Sequence, residues 1–228
     1  MLNKKNNRNR VNKIQGYVSN FLRLTLFFAI IVGIIDQRWD LIFITTIILV
    51  LTYLPFFIEK KYGIDLPIEF EFFIILFIYS SLFLGEIRSY YIIFWWWDII
   101  LHMGFAIAIG FAGFMILYTL YYKNKIKANP SLIAFFSFCF AVAIGASWEI
   151  FEFSMDQIIG TNMQKTGLTD TMWDLIVNFM GAFIISFIGY FYLKGKKTPI
   201  FNRILIRFIK DNPRYFKDEN KHRKNKIR

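Results

Sequence analysis

The sequence predicts an all-α polytopic membrane protein with six transmembrane helices. Three observations carry that prediction. Of 228 residues, 56% are hydrophobic and 20% aromatic, with 28 Phe, well beyond the usage of a water-soluble domain. Apolar runs of spanning length recur six times along the chain. Between the runs, 24 of the 27 Lys and Arg fall in alternate connections and at the two termini, which places both termini in the cytoplasm of a cell (inner) membrane protein.

Taken in order, residues 1–16 form a basic cytoplasmic tail, MLNKKNNRNRVNK and onward, without a small-residue cleavage site, so the run that follows reads as an uncleaved first span. The transmembrane domain occupies 17–193. Its runs are Tyr17 to Ile35, Leu41 to Ile58, Ile68 to Leu84, Ile92 to Tyr122, Ser131 to Phe153 and Trp173 to Leu193. Glu69 and Glu71 shorten the uncharged part of the third, which also suits a re-entrant or interfacial segment. The fourth exceeds the length a membrane needs, so its first turns either project from the bilayer or belong to a tilted helix. With cytoplasmic termini, Trp39, Trp95, Trp96, Trp97, Trp148 and Trp173 all fall at the outer ends of spans or in outer loops, as an interfacial belt does. Residues 194–228 form a basic cytoplasmic tail. Within it Phe201, Ile204, Leu205, Phe208 and Ile209 make the apolar stripe of an amphipathic helix suited to an anionic lipid surface, followed by a disordered basic end, KHRKNKIR.

The net charge of +11 is accounted for by topology signals, and with no nucleic-acid motif present, the partner is membrane lipid and not nucleic acid. Cys139, the only cysteine, excludes an intrachain disulfide and any site built on several cysteines. No glycine-rich phosphate loop, Ser-His-Asp spacing or Cys/His zinc pattern is present.

The chemistry concentrates at one end of spans four to six. Asp98 and His102 are four residues apart at the start of the fourth span, so they share a helix face with Ala106, Gly110 and Gly113. In WEIFEFSMD, Glu149, Glu152 and Asp156 share a face of the fifth; in DTMWDLIVN, Asp170, Asp174 and Asn178 share a face of the sixth and run onto Gly181 and Ala182. Small residues below each set permit close helix approach. Carboxylates so near hydrocarbon are costly and usually functional. Six of them together require either a cation or shared protons. Asp98, His102, Glu149, Glu152 and Asp174 are the candidate ligands of one divalent metal ion, with Mg²⁺, Mn²⁺, Ca²⁺ and Zn²⁺ all compatible with an oxygen-rich set that includes one imidazole. Glu149, Glu152 and His102 are also the candidate catalytic groups; Asp156, Asp170 and Asn178 complete the polar site. Simpler roles compete for three of these: Asp98 suits a solvated acid at a helix N-terminus, Asp170 an N-cap, and Asp156 a solvated loop acid. Gly160 and Gly167 read as turn residues that fold the intervening loop back over the site.

These motifs, LFLGEIRSYY, WWWDIILHMGFAIAIGF, GASWEIFEF, IIGT and DTMWDLIVNFMGA, in that order from Gly85 to Gly181, resemble the YjdF-like family of small inner-membrane proteins. The resemblance implies Asp98, His102, Glu149, Glu152, Asp170 and Asp174 as the family's polar positions, and it brings no reaction with it. The chain departs from the family pattern after Gly167, where Leu168 and Thr169 stand in place of an additional Asp. More distantly, Asp-x3-His, then Glu, then Asp174, Asn178 and Gly181 resemble VanZ-like membrane proteins linked to glycopeptide resistance.

The expectation is therefore an integral membrane protein with a metal-assisted activity on a lipid or envelope precursor. A proton- or cation-coupled transporter and a structural or regulatory protein with a buried polar network remain open beside it.

Overall fold

The computed structural model describes residues 2–123, 125–196 and 198–216; the expected basic end at 221–228 lies outside the described residues. Every regular element among them is helical. Six stretches are long and apolar enough to cross a membrane: Lys13–Ile35, Leu41–Tyr62, Ile68–Ile87, Trp97–Tyr122, Pro130–Ile159 and Leu168–Leu193. The third run is thus continuous helix of spanning length, despite Glu69 and Glu71 in its first turn. The chain divides into two compact units between Trp97 and Asp98.

The first unit contains α1 (Leu2–Ile35), α2 (Trp39–Leu51), α3 (Leu54–Tyr62), α4 (Ile68–Ile78), a π-helical segment (Tyr79–Ile87) and α5 (Tyr90–Ile93). Leu26, Ile48, Ile78 and Tyr79 form its buried core. The second span is broken between α2 and α3, where Pro55 follows Thr52 and Tyr53. Proline removes a helical donor and strands carbonyl oxygens, which need another partner in an apolar medium. Arg23 supplies it, donating from Nη2 to the Thr52 carbonyl at 3.0 Å and from Nε to the Thr52 hydroxyl at 3.2 Å.

The second unit contains α6 (Trp97–Tyr122, all but its first residue), α7 (Pro130–Ile159), α8 (Leu168–Leu193), α9 (Pro199–Asp211) and α10 (Pro213–Phe216). The long fourth run is interrupted near its start, where extended backbone at Phe94 separates α5 from α6, and its spanning part is Trp97–Tyr122. α7 starts at a conventional cap, with the Asn129 side-chain oxygen accepting from the Leu132 N–H at 2.7 Å and Pro130 in its first turn. It continues through Glu152 and Asp156 to a left-handed Gly160.

Burial in this unit is inverted relative to a water-soluble bundle. Phe135, Ile150, Phe179, Phe183 and Phe187 face outward, whereas His102, Glu149, Glu152, Asp174 and Asn178 are buried. Apolar exteriors around polar interiors are what a lipid solvent selects. The small residues marked in the sequence are the points of closest approach: a Cβ on Gly145 would meet Asn178, one on Gly113 would meet Phe140, and one on Gly181 would meet Met103 and Ala106.

The amphipathic helix expected after Pro199 is present as α9, but much of its apolar stripe is turned onto the protein. Phe201, Leu205 and Phe208 are buried. The Phe201 ring stands 5.0, 4.9 and 5.3 Å from those of Phe111, Phe114 and Tyr192, at the end of α6 and α8 remote from Asp98. Aromatic edge-to-face contacts of this kind add to the packing energy of the buried area. Ile200, Ile206, Arg203 and Lys210 keep their side chains exposed.

Candidate functional site

Three helices of the second unit bring their polar faces together around His102. Asp98 and His102 lie on the first turns of α6 one helical turn apart, and the His102 Nε2 is 3.4 Å from Asp98 Oδ1. From α8, Asp174 Oδ2 stands 3.8 Å from the same nitrogen. The opposite face of the ring meets the other two helix faces: Nδ1 is 3.3 Å from the Asn178 amide nitrogen and 3.7 Å from Glu149 Oε1 of α7. Glu149 is 4% exposed, Asp174 3% and Asn178 2%, so these groups belong to the interior and not to a solvated rim.

The imidazole therefore has two distinct sides. An amide N–H directed at Nδ1 makes that nitrogen the acceptor and leaves the ring proton on Nε2, toward the aspartates. A cation taken up through Nε2 needs the other tautomer, with the proton on Nδ1. Acceptors for that proton are in place, namely the Asn178 Oδ1 after rotation of its amide, or the Glu149 carboxylate. In keeping with this, the Asn178 Oδ1 is buried without a hydrogen-bond partner among the described residues, which costs about 1–3 kcal/mol relative to a satisfied atom. Glu149 is buried within reach of the Thr171 hydroxyl.

Asp98, His102 and Asp174 each offer one ligand atom, and all three atoms lie within 4.8 Å of one another. Ligands about 2.0–2.2 Å from a common ion stand at most about 4.4 Å apart, so a slight contraction closes them on a small divalent cation. Two oxygens and a borderline nitrogen suit Mg²⁺, Mn²⁺ or Zn²⁺.

The remaining expected residues divide. Glu152 is buried one turn beyond Glu149 and accepts a hydrogen bond from the Trp148 indole N–H at 2.8 Å. Asp170 is not an N-cap: the cap position is Gly167, and Asp170 lies in the first turn of α8 within electrostatic reach of Asp98, His102 and Lys165. Asp98 is not merely a solvated helix-start acid, since its second oxygen pairs with Lys165 while the first faces His102. Asp156 has a different task. Its Oδ1 accepts from the Thr161 hydroxyl at 2.6 Å and the Met163 N–H at 2.7 Å, and its Oδ2 from the Gln164 N–H at 2.9 Å, which pins the loop that joins α7 to α8.

Lys165 is the residue that the sequence reading passed over. It is carried on that loop with a left-handed backbone (φ 34°) and spans 67 positions to reach Asp98. The available signal was its isolation, as the one basic residue between Lys127 and Lys194, beside acids that lacked a counter-charge. Gly160 (φ 78°) and Gly167 (φ 70°) bound the loop in conformations that side chains rarely adopt, in agreement with their reading as turn residues.

Comparison with known proteins agrees with this architecture. Residues 18–195 match the family model described as predicted membrane protein (DUF2238). An uncharacterized protein of Thermotoga maritima is 32% identical over 126 residues, covering 54% of this chain, and the chain spans 62% of that relative's length. No solved structure matches. The ordered motifs, the six spans and the extent of the family match together show that the chain belongs to the DUF2238, or YjdF-like, family of multi-pass membrane proteins.

Proposed function

We propose that Asp98, His102 and Asp174 hold a divalent cation at the outer face of the membrane, and that the site acts on a lipid or envelope precursor. The observation that carries this reading is the surroundings of His102: two aspartates on its Nε2 side and, 3.7 Å from Nδ1, the Glu149 carboxylate, 4% exposed. The outer placement rests on the distribution of Lys and Arg, which puts both termini in the cytoplasm of an inner-membrane protein.

In this reading His102 binds through Nε2 and is oriented through Nδ1 by Asn178 and Glu149, an arrangement common around metal-bound imidazole. When bound, the cation would polarise a phosphoryl or carbonyl oxygen and lower the pKa of an attached water. Glu149, on the Nδ1 side of the ring, takes the ring proton and so keeps Nε2 unprotonated toward the cation. Glu152, held by the Trp148 N–H, keeps a second carboxylate beside it. Surrounding apolar side chains would seat the acyl part of a lipid, and the exposed Trp173 suits the level of the headgroups. The basic outward side of α9, with Arg203 and Lys210, supports contact with anionic lipid at the cytoplasmic surface.

Transport fits less well. A conducted ion needs a path beyond the site, and the far half of α6 and α8 is filled by Phe111, Phe114, Tyr192 and Phe201.

The test uses the full chain purified in detergent, with metal analysis and turnover of labelled envelope lipids. Wild-type protein is expected to carry a divalent metal and to consume one lipid class, and Glu149→Gln to lose turnover while remaining folded. Ion or pH flux in proteoliposomes without lipid turnover would replace the enzyme with a transporter. Wild-type behaviour of both Glu149→Gln and His102→Ala would leave a structural network.

A further inference from the structure

The loop between α7 and α8 places a positive charge on the group that the proposed cation must use. Asp98 is engaged at both oxygens: Oδ1 faces His102 Nε2 at 3.4 Å, and Oδ2 receives the Lys165 ammonium. An ion coordinated by Asp98, His102 and Asp174 would sit within a few ångströms of that ammonium, in surroundings of low dielectric where like charges repel strongly. Lys165 therefore cannot keep its position unchanged when the ion arrives.

The local structure gives it somewhere to go. Asp170, on the first turn of α8, already lies within electrostatic reach of Lys165. Gly160 and Gly167 delimit the loop, and neither has a neighbour within 4 Å of where a Cβ would stand. The loop is fixed by Asp156 through Thr161, Met163 and Gln164, and Gln164 is tied onward to the Gly167 N–H and the Thr171 hydroxyl, so the freedom lies in the Lys165 side chain.

Resting on the cation reading above, we infer that Lys165 is a displaceable stand-in for the divalent cation: its ammonium balances Asp98 when no ion is bound, and binding of the ion drives it off that carboxylate toward Asp170. Cation uptake and release of the ammonium from Asp98 are then one event, and the site avoids an unbalanced acidic cluster when no ion is bound.

The sign of one substitution separates this from a simple structural ion pair. Removing a group that supports a metal site weakens binding, whereas removing a competitor strengthens it. The measurement is calorimetric titration of detergent-solubilised full chain with MnCl₂, for wild type, Lys165→Met, Lys165→Arg and Asp98→Asn. Lys165→Met is expected to bind Mn²⁺ about tenfold more tightly than wild type, equivalent to about 1.4 kcal/mol. Lys165→Arg should bind no more tightly than wild type, and Asp98→Asn should bind weakly or not at all. Equal or weaker Mn²⁺ binding by Lys165→Met, with wild type still binding, overturns the displacement and leaves the cation centre standing. Absence of binding in both overturns the two together.

Discussion

His102→Ala is expected to lower divalent-cation affinity by at least about a hundredfold, because the side chain is the meeting point of all three helices. Its ring stands 3.4 Å from Asp98, 3.8 Å from Asp174, 3.7 Å from Glu149 and 3.3 Å from Asn178. Loss of an orienting partner alone typically costs 10–100-fold in metal affinity, and loss of the ligand itself costs more. Asn178→Ala gives the graded comparison: it removes the group that sets the tautomer but keeps Nε2, so its effect should fall within about 10–100-fold. Both are measured by equilibrium binding of Mn²⁺ or Zn²⁺ to purified protein, with helicity followed by circular dichroism. Unchanged affinity in His102→Ala would remove the imidazole from any cation centre.

Gly181→Val is expected to destabilise the packing of α8 against α6. A Cβ at this position would lie 2.9 Å from the Met103 carbonyl oxygen and 2.9 Å from the Ala106 Cβ. One of those neighbours is backbone and cannot rotate aside, so α8 must move away from α6. Overpacking of this kind costs about 1–3 kcal/mol for a few methylene groups. The displacement would also spread Asp174 from Asp98 and His102, so thermal stability in detergent and cation binding should fall together. Gly16→Ala supplies the contrast. Nothing lies within 4 Å of its Cβ position in α1, and alanine there should be neutral or stabilising by about 0.5–1 kcal/mol.

Helical periodicity identified which residues share a face, and that was sufficient for most of the site. Asp98 with His102, and Asp174 with Asn178, are each one turn apart on continuous helix, and the small residues below them gave the packed side. Periodicity does not say which residue of a neighbouring helix stands opposite. Asp156 shares a face with Glu149 and Glu152 but lies one turn farther along, where loop donors reach it first. Lys165 depends on a left-handed loop conformation that no apolar pattern encodes. The stripe of α9 was visible, but lipid and the aromatic end of the bundle are equally apolar partners, and the choice was decided by the fit of Phe201 beside Phe111, Phe114 and Tyr192. The break after Thr52 follows from Pro55, and Arg23 supplies the donors that α2 lacks where it ends.

Anomalous diffraction from crystals of the full chain grown with Mn²⁺ addresses the cation centre without recourse to activity. A single strong peak bounded by Asp98, the Nε2 of His102 and Asp174, with the Lys165 ammonium drawn away from Asp98, is the expected result. Density for ordered water alone at that position, with Lys165 still on Asp98 at saturating Mn²⁺, would contradict it.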